Sequence, residues 1–168
     1  MRDLTELSRI ESGEAAPRFA TVQVGKVIEG AIEAYLPEAR AKDQELKSEI
    51  AADLPALQAD EGQIRHVLDN LLSNALRNTP RGGSIHIEAV RHDDYVAISV
   101  ADTGSGIPQE YLGRLFTRFL SVPDTQSGGT GLGLAISRRL VEGHNGQISA
   151  RSEIGLGTTV TFTLPIVR

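Results

Sequence analysis

Apolar residues recur at helical spacing in three long stretches of the chain. The clearest stripe follows Asp60, whose side chain suits the capping position of a helix. Its members are Ile64, Val67, Leu68, Leu71, Leu72, Ala75 and Leu76. Similar spacing predicts two further helices, over residues 24–36 and 132–144.

Alternating apolar and polar residues predict the strands. Residues 84–90 and 95–101 alternate and are joined by the polar segment 91–94, which indicates an antiparallel hairpin. The other predicted strands are residues 46–50, 55–59, 147–152 and 158–164. Helices mixed with mostly hairpin-linked strands predict an α+β fold, a two-layer sandwich with helices on one face of a mixed, mostly antiparallel sheet.

The first 16 residues are predicted to form a short segment separate from the main domain. A brief amphipathic helix ends at Gly13, and a linker containing Pro17 follows it. The apolar face of this helix is Leu4, Leu7 and Ile10. Because so short a helix is unstable alone, we expect it to continue a helix upstream. The chain is therefore divided into residues 1–16 and a main domain, residues 17–168.

Composition narrows the classes of function. The chain has 168 residues, 17 Lys+Arg against 22 Asp+Glu and a net charge of −5, and 4% of its residues are aromatic. This balance argues against a nucleic-acid-binding protein. The absence of cysteine excludes disulfides and thiolate metal sites. No apolar run approaches the ~18–20 residues of a membrane span, so we expect this fragment to make no membrane contact, although a parent protein could be anchored elsewhere. The lack of cysteine suits a reducing cytosol, and we expect a cytoplasmic domain.

Three polar residues border the apolar stripe of the helix after Asp60. At about 100° per residue, Asn70, Asn74 and Arg77 lie together along one edge. They are either a solvated helix edge or a functional group. Carboxamide oxygens are suitable ligands for Mg²⁺, and an arginine one turn on could bind a phosphate.

Asp102 is at the next position that should face the core on its strand. Val96, Ile98 and Val100 set the core-facing positions, so the period of two directs the Asp102 carboxylate toward the helix layer. An inward carboxylate needs hydrogen-bond donors to offset desolvation. Two interpretations stay open: a turn partner for the glycine-rich segment that follows, or an acceptor for a ligand such as an adenine amine.

Glycines cluster in loops whose backbone could approach a ligand. Residues 128–133 contain four glycines before a predicted helix, an arrangement that can face an anion. The segment is neither a P-loop nor a dinucleotide-binding fingerprint, because the required Lys-Ser/Thr and the third glycine are absent. A second pair, Gly155 and Gly157, opens the last strand.

Taken in order, these motifs resemble the ATP-binding domain of the GHKL superfamily, and most closely that of sensor histidine kinases. Residues 71–75 resemble the N box, 102–107 the G1 box, 115–119 the F box and 129–134 the G2 box. Residues 4–13 resemble the end of the second dimerisation helix. The resemblance spans essentially the whole chain and implies a Bergerat-type ATP-binding fold.

The resemblance implies roles for the candidate residues that would contact Mg²⁺, the adenine base and a phosphate. Asn74 would bind Mg²⁺, with Asn70 supporting the same site. Asp102 would accept a hydrogen bond from the adenine amine, with Thr158 nearby. Arg77 would contact a phosphate.

The resemblance also implies which loops surround the nucleotide. Arg118 would stabilise the transferring phosphoryl group, and residues 107–128 would form a flexible lid. The remaining contacts would come from Gly104 and Gly106 at the base, and from Gly129, Thr130, Gly131, Leu132 and Gly133 at the phosphates.

The resemblance favours a protein-histidine kinase over an ATPase. Hydrolysing relatives carry a glutamate where this chain has Asn70, and an amide cannot act as a general base. The histidines lack the surroundings of a phosphoacceptor, so each is expected to be an ordinary surface or turn residue: His66, His86, His92 and His144. The phosphoacceptor would therefore belong to a separate dimerisation domain, with a response regulator downstream. We expect a homodimeric parent protein and a monomeric fragment.

Two alternatives stay open. One is a serine kinase of the anti-sigma-factor type, which the dimerisation-helix resemblance and the closing strand, residues 158–165, disfavour. The other is a non-catalytic nucleotide-sensing module. Departures from the family pattern keep it open: Asn78 replaces a common aromatic residue or histidine, Thr117 a frequent glutamate, and His66 a usual glutamine.

Overall fold

Secondary structure follows the predicted pattern closely. The computed structural model describes residues 2–117 and 132–167. The helices are α1 (Arg2–Glu11), α2 (Val24–Ala41), α3 (Glu61–Asn78), α4 (Gln109–Leu112) and α5 (Gly133–Gly143). The strands are β1 (Ala20–Val22), β2 (Glu45–Ile50), β3 (Leu57–Ala59), β4 (Ser84–Arg91), β5 (Tyr95–Asp102), β6 (Ile148–Glu153) and β7 (Gly157–Pro165).

Five strands form one mixed sheet in the order β2-β4-β5-β7-β6. Strand β2 runs parallel to β4, and the other neighbouring pairs are antiparallel. The predicted hairpin is the β4–β5 pair, with Ile87 opposite Val100. Strand β1 was not predicted: its first residue, Ala20, ends the predicted linker of residues 14–20, and its other two residues were assigned to no element. It pairs with β3 in a separate two-stranded sheet.

The core lies between one face of the five-stranded sheet and the helices. Helix α2 contacts β2, α3 contacts β5, and α5 contacts β7. The buried sheet residues alternate along their strands and are Ile85, Ile87, Ala89, Val96, Ile98, Val100, Val160, Phe162 and Leu164. On the opposite face of β4, His86 and Glu88 are exposed. The predicted fold class, a two-layer α+β sandwich with helices on one face, is confirmed.

Helix α3 is fixed at both ends. At its start, Asp60 Oδ1 accepts the backbone N–H of Gln63 (3.1 Å), as predicted for a cap. At its end, the carbonyl oxygen of Leu76 accepts hydrogen bonds from Lys42 Nζ (2.6 Å) and Gln44 Nε2 (3.0 Å). These donors satisfy carbonyl groups that have no partner within the helix.

The N-terminal segment packs against the main domain. Leu7 is buried, and α1 contacts α5. Glu6 Oε1 lies 2.8 Å from His66 Nδ1 on α3. In the following segment, the carbonyl oxygen of Ala15 accepts from Gln63 Nε2 at 2.8 Å. The division at residue 16 stays a prediction.

His144 is a turn histidine, one of the two kinds predicted, and its side chain is buried. It lies in the turn after α5. Its Nε2 accepts the backbone N–H of Asp60 (3.0 Å), so its Nδ1 carries the proton and donates to the carbonyl oxygen of Leu140 (2.8 Å). The residue thereby joins the end of α5 to the start of α3, a contact between positions 84 residues apart.

The described ranges contain no helix with the length and apolar character needed to cross a bilayer.

Candidate functional site

The candidate residues that the structure describes form a continuous path of contacts across α3, β5, β7 and α5. Asn70 on α3 bonds to the start of α5, and the loop after β5 lies against the end of α3. Asp102 at the end of β5 bonds to the start of β7. One edge of the sandwich therefore brings together motifs that are far apart in the sequence.

Asp102 lies at the end of β5 with its carboxylate largely removed from solvent. Its Oδ1 accepts the backbone N–H groups of Gly104 (2.9 Å) and Thr158 (3.3 Å). Burial raises the pKa of the Asp102 carboxyl above its ordinary value, and the two hydrogen bonds offset this effect in part. Within the described residues, no hydrogen bond reaches Oδ2. The carboxylate is thus oriented by one oxygen, which leaves the other as an acceptor.

The glycines after Asp102 permit close packing around it. A Cβ atom at Gly104 would meet the backbone oxygen of Asn78 at the end of α3, and would lie 2.9 Å from Asp102 Oδ1. Gly106 has φ +80°, and a Cβ there would meet the backbone of Glu153. Both positions therefore require glycine because backbone atoms of neighbouring residues leave no room for a Cβ, and this holds whether or not the loop contacts a ligand.

Ser152 joins Thr158 to the loop after β5, a role that the sequence did not reveal. Its Oγ accepts the backbone N–H of Ile107 (2.7 Å) and lies 2.8 Å from Thr158 Oγ1. The register of the β6–β7 pair places Ser152 opposite Thr158. Ser152 does lie at an inward-facing position of β6, and this was the available sequence signal. However, apolar and polar residues alternate only weakly along β6, so its position alone did not identify Ser152.

Asn74 and Arg77 interact directly on the exposed edge of α3. Arg77 Nη2 donates to Asn74 Oδ1 at 3.3 Å, and Asn78 Nδ2 approaches the same oxygen at 3.4 Å. Both contacts are long, and both side chains are half-buried. Among the described residues, the carboxamide oxygen predicted to bind a metal therefore has only these two weak donors.

Asn70 occupies a different environment from Asn74. Its Nδ2 donates to the carbonyl oxygen of Gly133 (3.1 Å) and to Ser137 Oγ (3.2 Å), both on α5. Ser137 was not identified from the sequence because its partner lies 67 residues away. Asn70 therefore uses its amide nitrogen to join α3 to α5, and no hydrogen bond from another described residue reaches its oxygen.

Several predicted site residues lie outside the described part of the chain. These are Arg118, Gly128, Gly129, Thr130 and Gly131. The predicted lid, residues 107–128, is described only as far as residue 117. Of the G2-like segment, Leu132 has a buried side chain, and Gly133 begins α5. Any contact of Leu132 with a ligand would therefore come from its backbone.

The described residues include no cluster of three or more His, Cys, Asp or Glu side chains able to hold a metal ion. Asn70 and Asn74 supply amide oxygens one helical turn apart. Mg²⁺ is commonly held by one or two protein oxygens together with substrate phosphates and water. The donor set therefore fits a metal that arrives with a nucleotide, and does not fit a permanently bound ion.

Comparison with known proteins settles the family. Residues 59–168 match the family described as histidine kinase-, DNA gyrase B-, and HSP90-like ATPase. The chain belongs to this family. Within it, the chain is an ATP-binding catalytic domain of the sensor histidine kinase type, as its motifs indicated.

Two of the curated relatives are a bacterial sensor protein and a sensory kinase. The chain is 37% identical over 166 residues to the alginate biosynthesis sensor protein KinB of Pseudomonas aeruginosa, covering 99% of this chain and 28% of KinB. It is 44% identical over 131 residues to the adaptive-response sensory kinase SasA of Synechococcus elongatus, covering 77% of this chain and 34% of SasA. The chain thus spans about a third of the length of these relatives.

Solved structures agree on the fold. Full-length ShkA, crystallised in complex with AMPPNP, superposes with a TM-score of 0.85 at 31% identity, over 99% of this chain and 35% of ShkA. The mycobacterial sensor histidine kinase MprB superposes with a TM-score of 0.78 at 26% identity, over 87% of this chain and 97% of the MprB chain. The predicted family and fold are both confirmed.

Proposed function

We propose that this domain binds Mg·ATP and transfers the γ-phosphoryl group to a histidine on the dimerisation domain of its parent protein. The observation that carries the proposal is the environment of Asp102. A carboxylate fixed by two backbone N–H groups, with a second oxygen not engaged by the described residues, is suited to accept the exocyclic amine of adenine.

This arrangement favours adenine over guanine. Adenine presents an amine donor at its six-position, whereas guanine presents a carbonyl acceptor there. An acceptor facing the Asp102 carboxylate would leave a charged group desolvated without a partner. We therefore expect ATP to bind and GTP to bind far more weakly.

The phosphate end of the nucleotide would lie between Arg77 on α3 and the start of α5. Arg77 is free to exchange its long contact with Asn74 for a phosphate oxygen. Asn74 would hold Mg²⁺ through its amide oxygen, with Asn70 beside it. The metal would neutralise phosphate charge when bound.

Transfer to another side chain is favoured over hydrolysis. The side chain four residues before Asn74 is Asn70, an amide that has no basic group to activate water. Both of its described hydrogen bonds run to α5. The protein would therefore supply positioning and charge neutralisation, and another domain would supply the nucleophile.

The partners follow from this chemistry. The acceptor would be the parent's dimerisation domain, whose phosphohistidine would pass its phosphoryl group to a response regulator. Reaction with ATP is consistent with a cytoplasmic site of action. We also propose a homodimeric parent, to which α1 would contribute the end of a dimerisation helix.

Incubation with labelled ATP, Mg²⁺ and the separate dimerisation domain tests the proposal. We expect acid-labile, base-stable label on the dimerisation domain, and none on a version of that domain whose acceptor histidine is replaced. Acid-stable label on an anti-sigma-factor target would instead support a serine kinase. Tight ATP binding without transfer to either protein would support a nucleotide-sensing module.

A further inference from the structure

We propose that Ser137 is a positioning residue that orients the Asn70 carboxamide, so that its oxygen, and not its amine, faces the nucleotide and its metal. The inference rests on the proposed function, because it assigns Asn70 a place beside Mg·ATP. It concerns a side chain that lies inside the helix layer and outside every motif of the family resemblance.

The geometry fixes the direction of the amide. A backbone carbonyl can only accept, so the atom of Asn70 that lies 3.1 Å from the Gly133 oxygen must be Nδ2. The same Nδ2 donates to Ser137 Oγ at 3.2 Å. Both acceptors therefore lie on the Nδ2 side of the amide, and Oδ1 is left as its acceptor atom.

Ser137 is poised to accept from Asn70. Its hydroxyl donates to the Gly133 oxygen at 2.9 Å, the common bond of a helical serine to the carbonyl four residues earlier. That bond directs the proton of Ser137 toward the preceding turn of α5 and leaves an oxygen lone pair for Asn70. Ser137 Oγ and the Gly133 oxygen thus both accept from Asn70 Nδ2.

Burial makes this contact consequential. Ser137 is fully buried, and Ile136 and Leu140 on the same helix belong to the hydrophobic core. A hydrogen bond in such surroundings is stronger than one in water, and an unsatisfied polar group is costly there. The terminal torsion of asparagine is otherwise broad. Without the hydroxyl, the bond to the Gly133 oxygen alone would hold the amide, so its orientation would be fixed less firmly.

The test compares Ser137→Ala with a matched control, Ser99→Ala. Ser99 is half-buried and also forms a hydroxyl contact, 2.8 Å from Thr161 Oγ1, on the sheet face away from the helices. Calorimetry with a non-hydrolysable ATP analogue, in Mg²⁺ and in EDTA, gives the metal-dependent gain in affinity. We expect Ser137→Ala to reduce that gain about three- to tenfold, the loss of one hydrogen bond, and to change affinity in EDTA less than twofold. Ser99→Ala should change neither value.

A second readout needs neither metal nor nucleotide. In the free protein, the side-chain amide protons of Asn70 should give two distinct, slowly exchanging NMR signals. Ser137→Ala should shift them and speed their exchange, whereas Ser99→Ala should not. If these signals are unchanged in Ser137→Ala, Ser137 does not orient Asn70.

The Asn70→Ala background separates orientation from general packing. If Ser137 acts through Asn70, adding Ser137→Ala to Asn70→Ala should leave the metal-dependent gain unchanged; a full additional loss overturns the inference. Ser137→Cys, nearly isosteric but a weak acceptor, replaces Ser137→Ala if the latter fails to fold. Misfolding of both variants would overturn a role confined to orientation. A wild-type chain that binds no ATP would refute the proposed function, while the NMR comparison would still judge Ser137.

Discussion

Substitution of Asp102 by Asn separates recognition of the base from stability of the fold. The two side chains have nearly the same size, and Asn keeps Oδ1 as an acceptor for the backbone N–H groups of Gly104 and Thr158. Only the other oxygen changes, to an amine. In the proposed complex that amine would face the amine of adenine, so a donor would oppose a donor.

The structure gives the size and sign of the expected change in ATP affinity, and the sign of the expected change in stability. A hydrogen bond to a charged group contributes about 1.5–3 kcal/mol, so Asp102→Asn should weaken ATP binding about 10- to 150-fold. Stability should not fall at pH 7. Burial raises the pKa of Asp102 in the folded state, so its contribution to stability is present below the unfolded pKa and is lost as pH rises through the folded pKa. At neutral pH the variant should be at least as stable as the wild type.

Calorimetry with an ATP analogue and urea unfolding followed by circular dichroism measure the two effects. Asp53→Asn is the matched control, because Asp53 is exposed in the segment between β2 and β3. It should leave affinity unchanged. Equal affinity in Asp102→Asn would refute the adenine assignment. A loss of affinity accompanied by a loss of stability of more than about 2 kcal/mol would show that Asp102 has a structural role instead.

Three further predictions concern α3 and the loop after β5. Asn74→Ala should remove most of the Mg²⁺-dependent gain in ATP affinity in calorimetry, and Mg²⁺ alone should give no measurable binding; equal losses with and without the metal would contradict its role as a ligand. Gly104→Ala should destabilise the fold by more than about 2 kcal/mol in urea unfolding, because the new Cβ would meet the backbone oxygen of Asn78; a variant of wild-type stability would refute the close approach. Asp60→Ala should lower the free energy of unfolding by about 1 kcal/mol at pH 7, because α3 loses its N-terminal cap. Burial opposes ionisation of Asp60, but hydrogen bonds, led by that from Arg18, hold its pKa below the ordinary value, so the cost should shrink as pH falls through that lowered pKa.

Features set by local periodicity could be predicted from the sequence. The helix after Asp60 begins at Glu61, directly after its predicted cap, because the cap and the apolar stripe lie in consecutive residues. The inward direction of Asp102 followed from the period of two on β5. Each of these depends on residues within a few positions of one another, and each was confirmed.

Features set by distant partners could not be predicted. Strand β1 has three residues and exists because it pairs with β3, about 37 positions later. His144 is surrounded in sequence by polar residues and glycine, and its burial depends on the backbone of Asp60. The amide of Asn70 was expected to support a metal, yet its protons bond to α5, 63 and 67 positions away. A helical pattern shows which face a side chain is on, but it does not show which element covers that face.

Helix α3 sets the distance between the two ends of the candidate site. Asn70, near its middle, bonds to Gly133 at the start of α5, and the backbone oxygen of Asn78, at its end, contacts Gly104 in the loop that orients Asp102. Eight residues separate these two contacts, or about 12 Å at 1.5 Å per residue, a distance of the order of a nucleotide's length. Because α3 is capped at both ends and buried along its stripe, this spacing is rigid. In the proposed complex, this one helix would therefore position both the phosphate end and the base end of the nucleotide, so that motifs from four elements act on a single ligand.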